Sequence, residues 1–150
     1  MKTANELINI AKEASKHQGK IRLLWPFKKA EGWKWTQSFG KTDYVKKKNP
    51  YKDGIHTGND FSKKGWKVKI VACIDGVITK ADHKGIGSSG IDVVLYNKEY
   101  GLAIKYYHFS KIVVHKNQRI KAGDVLGYEG STGFSTAPHC HFEIIIDPVK

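Results

Sequence analysis

Two runs, IDVVLY (Ile91–Tyr96) and LAIKYYHF (Leu102–Phe109), flank the short segment NKEYG (Asn97–Gly101). Both runs are rich in β-branched and aromatic residues, and the segment between them ends in glycine, so the pattern predicts a hairpin. From about residue 20 onward the chain repeats this texture, with short β-type runs broken by Gly, Asp and Asn. KVKIVACI (Lys67–Ile74) reads as a strand, and Asp75-Gly76 is a turn signal before VIT (Val77–Thr79). GIGSSG (Gly85–Gly90) reads as a loop with no phosphate-loop signature, since no Lys-Ser or Lys-Thr follows it. Lys121–Pro138 is rich in Gly, Ser and Thr, with a short strand around Val125. The one helical signal lies ahead of all this. Thr3 to about Lys16 has capping-box spacing at Thr3 and Glu6, an apolar stripe at Leu7, Ile10, Ala11 and Ala14, and a stop at Gly19. The expected organisation is an N-terminal helix or extension over 1–19 and one domain over 20–150.

At 150 residues the chain is long enough for a core of its own. The formal net charge is +12, and almost all of the positive charge is lysine, because Arg22 and Arg119 are the only arginines. Such a chain is drawn to polyanions at long range without specific contacts. The scarcity of arginine argues against sequence-specific reading of nucleic acid. No transmembrane run occurs, so membrane insertion is not expected. The first twenty residues lack an apolar signal core. The expectation is therefore release by lysis, association with a phage particle, or a piece of a longer chain. Cys73 and Cys140 each sit in an apolar stretch and read as buried free thiols.

APHCHFEIII (Ala137–Ile146) narrows the reading. In a strand, alternate residues share a face. Cys140, Phe142, Ile144 and Ile146 then point to the core, while His139, His141 and Glu143 point together to the other side. Two imidazoles so placed have β-carbons about 6–7 Å apart. One can bind a metal while the other reaches a group bound to it. GIHTGNDF (Gly54–Phe61) offers a second pair, His56 and Asp60. Fully extended, their side chains would stand roughly 13 Å apart, but a bend at Gly58, which tolerates unusual dihedrals, brings both inward. Taken alone, a turn with an Asx-type hydrogen bond explains that pair as well. Together, His56, Asp60 and one of the strand pair make the three protein ligands that a catalytic zinc typically keeps, with its fourth position left for water or substrate. His17, His83 and His115 read as surface residues, and His108 is the remaining histidine.

At this point the chain resembles the lysostaphin-type zinc endopeptidases, which cut peptide crosslinks in bacterial peptidoglycan. HTGNDF (His56–Phe61) is similar to the family's His-x-x-x-Asp block. YYHFS (Tyr106–Ser110) is similar to its aromatic-x-His-Leu-Ser block, with Phe109 for the usual leucine. RIKAGDVLGYEGSTGFSTAPHCHFE (Arg119–Glu143) is similar to its long closing signature. The blocks stand in family order over roughly residues 36 to 148.

The resemblance implies a mainly β fold, a compact antiparallel β-sheet domain with a groove walled by loops. It implies that His56, Asp60 and His141 hold one Zn²⁺, and that His108 and His139 are catalytic. Tyr51 lies where some members carry an assisting tyrosine. Glu143 is either a partner that orients an imidazole or a solvated or salt-bridged residue. The implied partner is peptidoglycan at the bacterial cell wall. Anionic wall polymers are a natural match for lysines such as Lys46, Lys47 and Lys48. Three rivals stand beside this reading. One is a catalytically inactive wall-binding or structural module on the same fold. The second is a biotinyl- or lipoyl-carrier module, suggested by VHKNQRIKAGDVLG (Val114–Gly127). The third is a non-specific nucleic-acid binder. Carrier modules hold a modifiable lysine between hydrophobic residues, commonly methionines, whereas Met1 is the only methionine of this chain.

Overall fold

The computed structural model describes residues 21–27, 32–43, 54–65 and 68–146. The described residues form strands β1 (Lys34–Gln37), β2 (Asn59–Ser62), β3 (Lys69–Val71), β4 (Gly76–Asp82), β5 (Ile91–Asn97), β6 (Leu102–Phe109), β7 (Lys111–Ile112), β8 (Arg119–Ile120), β9 (Val125–Tyr128) and β10 (Cys140–Ile146). Seven of them make one sheet in the order β1-β2-β10-β6-β5-β4-β8, and β3-β9-β7 make a second. Every pair is antiparallel. The mainly β, antiparallel expectation holds. The N-terminal helix over Thr3–Lys16, Tyr51 and Lys46–Lys48 all fall outside the described residues. Among the described residues no helix is long and apolar enough to cross a membrane.

The β5–β6 hairpin forms where the apolar runs placed it. Val93, Leu95, Ile104 and Tyr106 alternate onto one face and are fully buried. With Ile70, Leu126 and Ile112 from the smaller sheet and Ala72 just beyond it they form one core. Full burial of an aliphatic side chain contributes about 1.5–3 kcal/mol, so this inner face is the main source of stability. Both cysteines are buried and free. Tyr106 donates its hydroxyl to Cys73 Sγ at 3.1 Å and accepts the Cys73 N–H at 3.0 Å, which satisfies its polar end inside the core.

Two expectations need correction. The strand over Lys67–Ile74 is only Lys69–Val71. Beyond it the backbone leaves the ladder, since the Ala72 N–H is taken by the Asp124 carbonyl and the Cys73 carbonyl by Leu24. The last strand does bury Cys140 and Phe142, but Ile144 is 46% and Ile146 73% exposed. The reason lies in the pairing. β2 runs alongside β10 only from Cys140 to Phe142, whereas β6 accompanies it to Ile146. Past Phe142 the strand is an edge among the described residues, and alternation by itself does not supply a covering layer.

Candidate metal centre

β2 and β10 bring the two histidine motifs together. Asp60 and His141 are direct partners across their antiparallel ladder. His56 is fixed separately, by a bridge in which Gly40 and His56 exchange backbone hydrogen bonds of 2.8 and 3.0 Å. The chain bends at Gly58 between His56 and Asp60, as the sequence suggests. The physical reason differs from the expected one. Gly58 does not have a positive φ. What it supplies is space. A β-carbon there would stand 2.5 Å from the Phe142 carbonyl oxygen, 2.8 Å from His141 Nε2 and 2.9 Å from Glu143 Cγ. Gly58→Ala is therefore expected to push β10 away and tilt the His141 ring. Overpacking of this kind destabilises by about 1–3 kcal/mol, and a displaced ring should weaken any metal binding at this cluster roughly 10–100-fold. Competition against a chelating dye checks this, and an unchanged metal affinity would contradict the steric account.

Three side-chain atoms converge. His141 Nδ1 lies 2.8 Å from Asp60 Oδ1, His56 Nε2 lies 3.2 Å from the same oxygen, and the two ring nitrogens are 3.0 Å apart. All three residues are buried. The far nitrogen of each ring is already engaged. His56 Nδ1–H donates to the Ser38 carbonyl at 2.7 Å, and His141 Nε2–H donates to Glu143 Oε1 at 3.1 Å. With those protons committed, the converging atoms are three lone pairs. Three lone pairs in contact need a proton or a cation among them. Atoms about 2.0–2.2 Å from one tetrahedral centre are themselves roughly 3.3–3.6 Å apart, close to the separations found. His56, Asp60 and His141 could thus hold one metal ion, and two nitrogens with one carboxylate suit Zn²⁺.

Neighbouring groups keep the His141 ring in place. Tyr107, its partner across β6 and β10, stacks on it with centroids 5.2 Å apart and an interplanar angle of 8°. Glu143 accepts from His141 and from the Thr57 hydroxyl, and its other oxygen pairs with Lys105 Nζ at 3.1 Å. Glu143 is thus both salt-bridged and in contact with the His141 ring, and it is buried rather than solvated. Burial works to raise the Glu143 carboxyl, but hydrogen bonds from His141, Thr57 and Lys105 outweigh it and bring it to about 2. Burial likewise opposes charge on Asp60 and on the His141 ring. The Asp60 carboxyl is nevertheless held well below the usual range by the His141, His56 and His139 rings around it. The His141 ring, between Asp60 and Glu143, is raised above the usual histidine value. A proton on the His141 ring competes with any ion for Nδ1, so ion binding tightens as pH rises.

His108 and His139 stand next to this cluster. Their ring centroids are 4.7 Å apart, and His108 lies 6.0 Å from His141. Each anchors Nδ1–H on a backbone carbonyl, Thr132 for His108 and Ala137 for His139, both at 2.8 Å. That leaves each Nε2 as an unprotonated acceptor, and His139 Nε2 is 3.7 Å from Asp60 Oδ1. Burial, and then the nearby His139, lowers the His108 imidazole to about 4. A bulge aims His108. Ile91 pairs with Phe109 and Val93 with Tyr106, so β6 spends one more residue than β5 over this step. His108 takes a φ of 66° there. Without that extra residue it would share the core face with Tyr106.

A groove runs over the cluster. One wall is Trp35–Ser38 with Thr42 and Asp43, the other is Gly87–Ser89 and Gly133–Pro138, and Asp60, Tyr107, His108, His139 and His141 line it between them. All five histidine and aspartate candidates from the sequence are therefore in one place, while His83 and His115 are exposed elsewhere. Pattern reasoning did not single out Tyr107 or Thr57. Tyr107 shares strand parity with Lys105, but only the β6–β10 register sets it against His141.

Fold and cluster together define a class: an antiparallel β protein with a buried three-residue cluster that could hold a metal ion, open to a groove that carries two further imidazoles. The sequence model of peptidase family M23 matches residues 54–149, and the chain belongs to that family. It is 37% identical over 99 residues to the glycyl-glycine endopeptidase ALE-1 of Staphylococcus capitis, a match spanning 63% of this chain and 26% of that protein. It is 31% identical over 91 residues to the peptidoglycan DD-endopeptidase ShyA of Vibrio cholerae, spanning 61% of this chain and 20% of that protein. Its fold superposes on the catalytic domain of the antimicrobial peptidase lysostaphin from Staphylococcus simulans with a TM-score of 0.66 and 29% identity, covering 79% of this chain and 84% of that one. The chain thus spans between a fifth and about a quarter of the length of these curated relatives.

Proposed function

We propose that this chain is a zinc-dependent endopeptidase that hydrolyses peptide crosslinks or stem peptides of bacterial peptidoglycan. His56, Asp60 and His141 would hold one Zn²⁺. His108 and His139 would be the catalytic pair. The observation that carries this reading is the meeting of three buried lone-pair atoms within 3.2 Å beside two imidazoles whose Nδ1–H groups are already spent on the backbone. Membership of a peptidase family and the activities of the relatives named above support the substrate class.

When bound, Zn²⁺ would lower the pKa of a water and polarise the scissile carbonyl. The chain's own residues divide the remaining work. A neutral imidazole Nε2 in the groove takes the water's proton and later returns it to the leaving amine. The other imidazole hydrogen-bonds the oxygen that becomes negative. Glu143, Thr57 and Lys105 hold the His141 ring so that Nδ1 faces inward. The groove walls align an extended peptide over these groups. We further propose that the catalytic unit spans 20–150, with 1–19 an extension, and that it acts at the bacterial cell wall.

Digestion of purified peptidoglycans that differ in crosslink is the direct test. New amino ends should appear by mass analysis with the zinc-loaded chain, vanish on chelation, and return on adding zinc. Release of reducing sugars with no new amino end would remove the peptidase reading. The net charge of +12 adds a second expectation. Retention on walls that carry anionic polymers should weaken steadily as sodium chloride rises, since screening shortens the reach of the lysines. Retention that is independent of salt would remove the electrostatic account.

A further inference from the structure

Asp92 on β5 is fully buried, and nothing above makes use of it. Val93 and Leu95 face the core, so Asp92 and Val94 belong to the other face of the sheet, where Val94 pairs with Lys105. Only one oxygen of the carboxylate is engaged. Lys80 Nζ and the Ser89 hydroxyl both reach Oδ2 at 2.6 Å, whereas Oδ1 has no hydrogen-bond partner among the described residues. A buried oxygen without a donor works against folding, and an apolar side chain would avoid that penalty. The stability of the sheet therefore does not account for a carboxylate at this position.

What the carboxylate does hold is Ser89. The Ser89 carbonyl accepts the backbone N–H of His108 at 3.0 Å. The next residue, Gly90, has a φ of 64° and lies against the Thr132 backbone so closely that no side chain fits between them. Thr132 in turn accepts His108 Nδ1–H at 2.8 Å, accepts the Ile91 N–H at 2.9 Å, and donates its hydroxyl to the Phe109 carbonyl at 2.8 Å. His108 is thus gripped at its main chain by Ser89 and at its ring by Thr132, and both grips converge on the turn ahead of Asp92. A residue with a side chain at a φ of 66° needs such restraint, because the left-handed region is unfavourable for it.

We propose that Asp92 is a positioning residue for His108, acting through Ser89: it locks the 87–90 turn in the conformation whose carbonyl holds the His108 amide, and so keeps the strained bulge with Nε2 open to the groove. The consequence for turnover rests on the catalytic role proposed for His108. The positioning itself is a property of the fold.

The test uses the full-length, zinc-loaded, isotope-labelled chain with Asp92→Ala, Ser89→Ala and Asp92→Asn. Amide hydrogen exchange at His108 is compared with that at Ile104, in the middle of the same strand. Asp92→Ala and Ser89→Ala should each speed exchange at His108 about tenfold or more and leave Ile104 unchanged. Zinc content should stay at one per chain. With a soluble crosslinked peptide, kcat for Asp92→Ala should fall roughly 10–100-fold, as expected for a misplaced catalytic group, with KM within about threefold of wild type. Asp92→Asn keeps an oxygen for the Ser89 hydroxyl and should restore most of the protection and the rate. Unchanged exchange at His108 in Ser89→Ala would overturn the proposal, and this variant decides the matter should Asp92→Ala fail to fold. Equal acceleration at His108 and Ile104 would also overturn it, since that is the signature of a general loss of stability. If His108 exchange responds as expected while His108→Ala keeps the wild-type kcat, the positioning stands and the catalytic role of His108 falls.

Discussion

His141→Ala is expected to leave a folded chain that neither retains zinc nor hydrolyses peptidoglycan. Its Nδ1 is one of the three converging atoms, and it is the only one that directly touches both of the others at 3.0 Å or less. Without it, His56 and Asp60 remain as a two-atom site 3.2 Å across. A three-ligand catalytic zinc reduced to two protein ligands loses most of its affinity. Losing the ion removes several kcal/mol of transition-state stabilisation, which corresponds to about 10³-fold or more in rate. Asp60→Ala should do the same for a complementary reason. It removes the one carboxylate among the three converging atoms, so only two ring nitrogens remain to hold a divalent ion. Elemental analysis after dialysis checks the first half of the expectation, and a peptidoglycan digest checks the second. A His141→Ala chain that still held one zinc per molecule would disprove the assignment of the centre.

His108→Ala and His139→Ala are expected to behave differently. Neither ring contributes one of the three converging atoms, so both variants should keep the ion. Each removes a group that moves a proton or stabilises an oxyanion, and such groups are worth about 10²–10⁴-fold. The separation of the two phenotypes, zinc lost against zinc kept, is what distinguishes ligand from catalyst. Wild-type hydrolysis by both variants would refute the role assignment. The pH dependence follows from burial. With its imidazole near 4, His108 stays an uncharged acceptor down to that value. Bound Zn²⁺ would push it lower still, since a nearby cation opposes protonation. Between pH 7 and 5 the His108 ring resonances should therefore not titrate. The linkage sign agrees. The unfolded ring, near 6.5, binds more protons than the folded one between 6.5 and 4. The contribution of His108 to stability is thus fully present above 6.5 and is lost as pH falls through that window.

Some of this was legible from pattern alone. The β5–β6 hairpin is written in two apolar runs and a turn, which are local signals. The shared face of His139, His141 and Glu143 follows from the period of a strand. The bend at Gly58 was also legible, but its reason was not. Glycine is needed there because β10 passes too near for a β-carbon, and that is known only once β10 is in place. The fate of Ile144 and Ile146 was misread because alternation predicts a face and not what covers it.

The amino-acid sequence by itself determined the β character of the chain, the β5–β6 hairpin and the chemical types available to the site, because periodicity and turn chemistry are carried by neighbouring residues. The tertiary structure decided which atoms meet. The β2–β10 register sets Asp60 against His141, the Gly40 bridge brings in His56, and one extra residue in β6 turns His108 out of the core. Each of these depends on a partner strand far away in the chain, and a register between distant strands leaves no mark on either strand's own sequence.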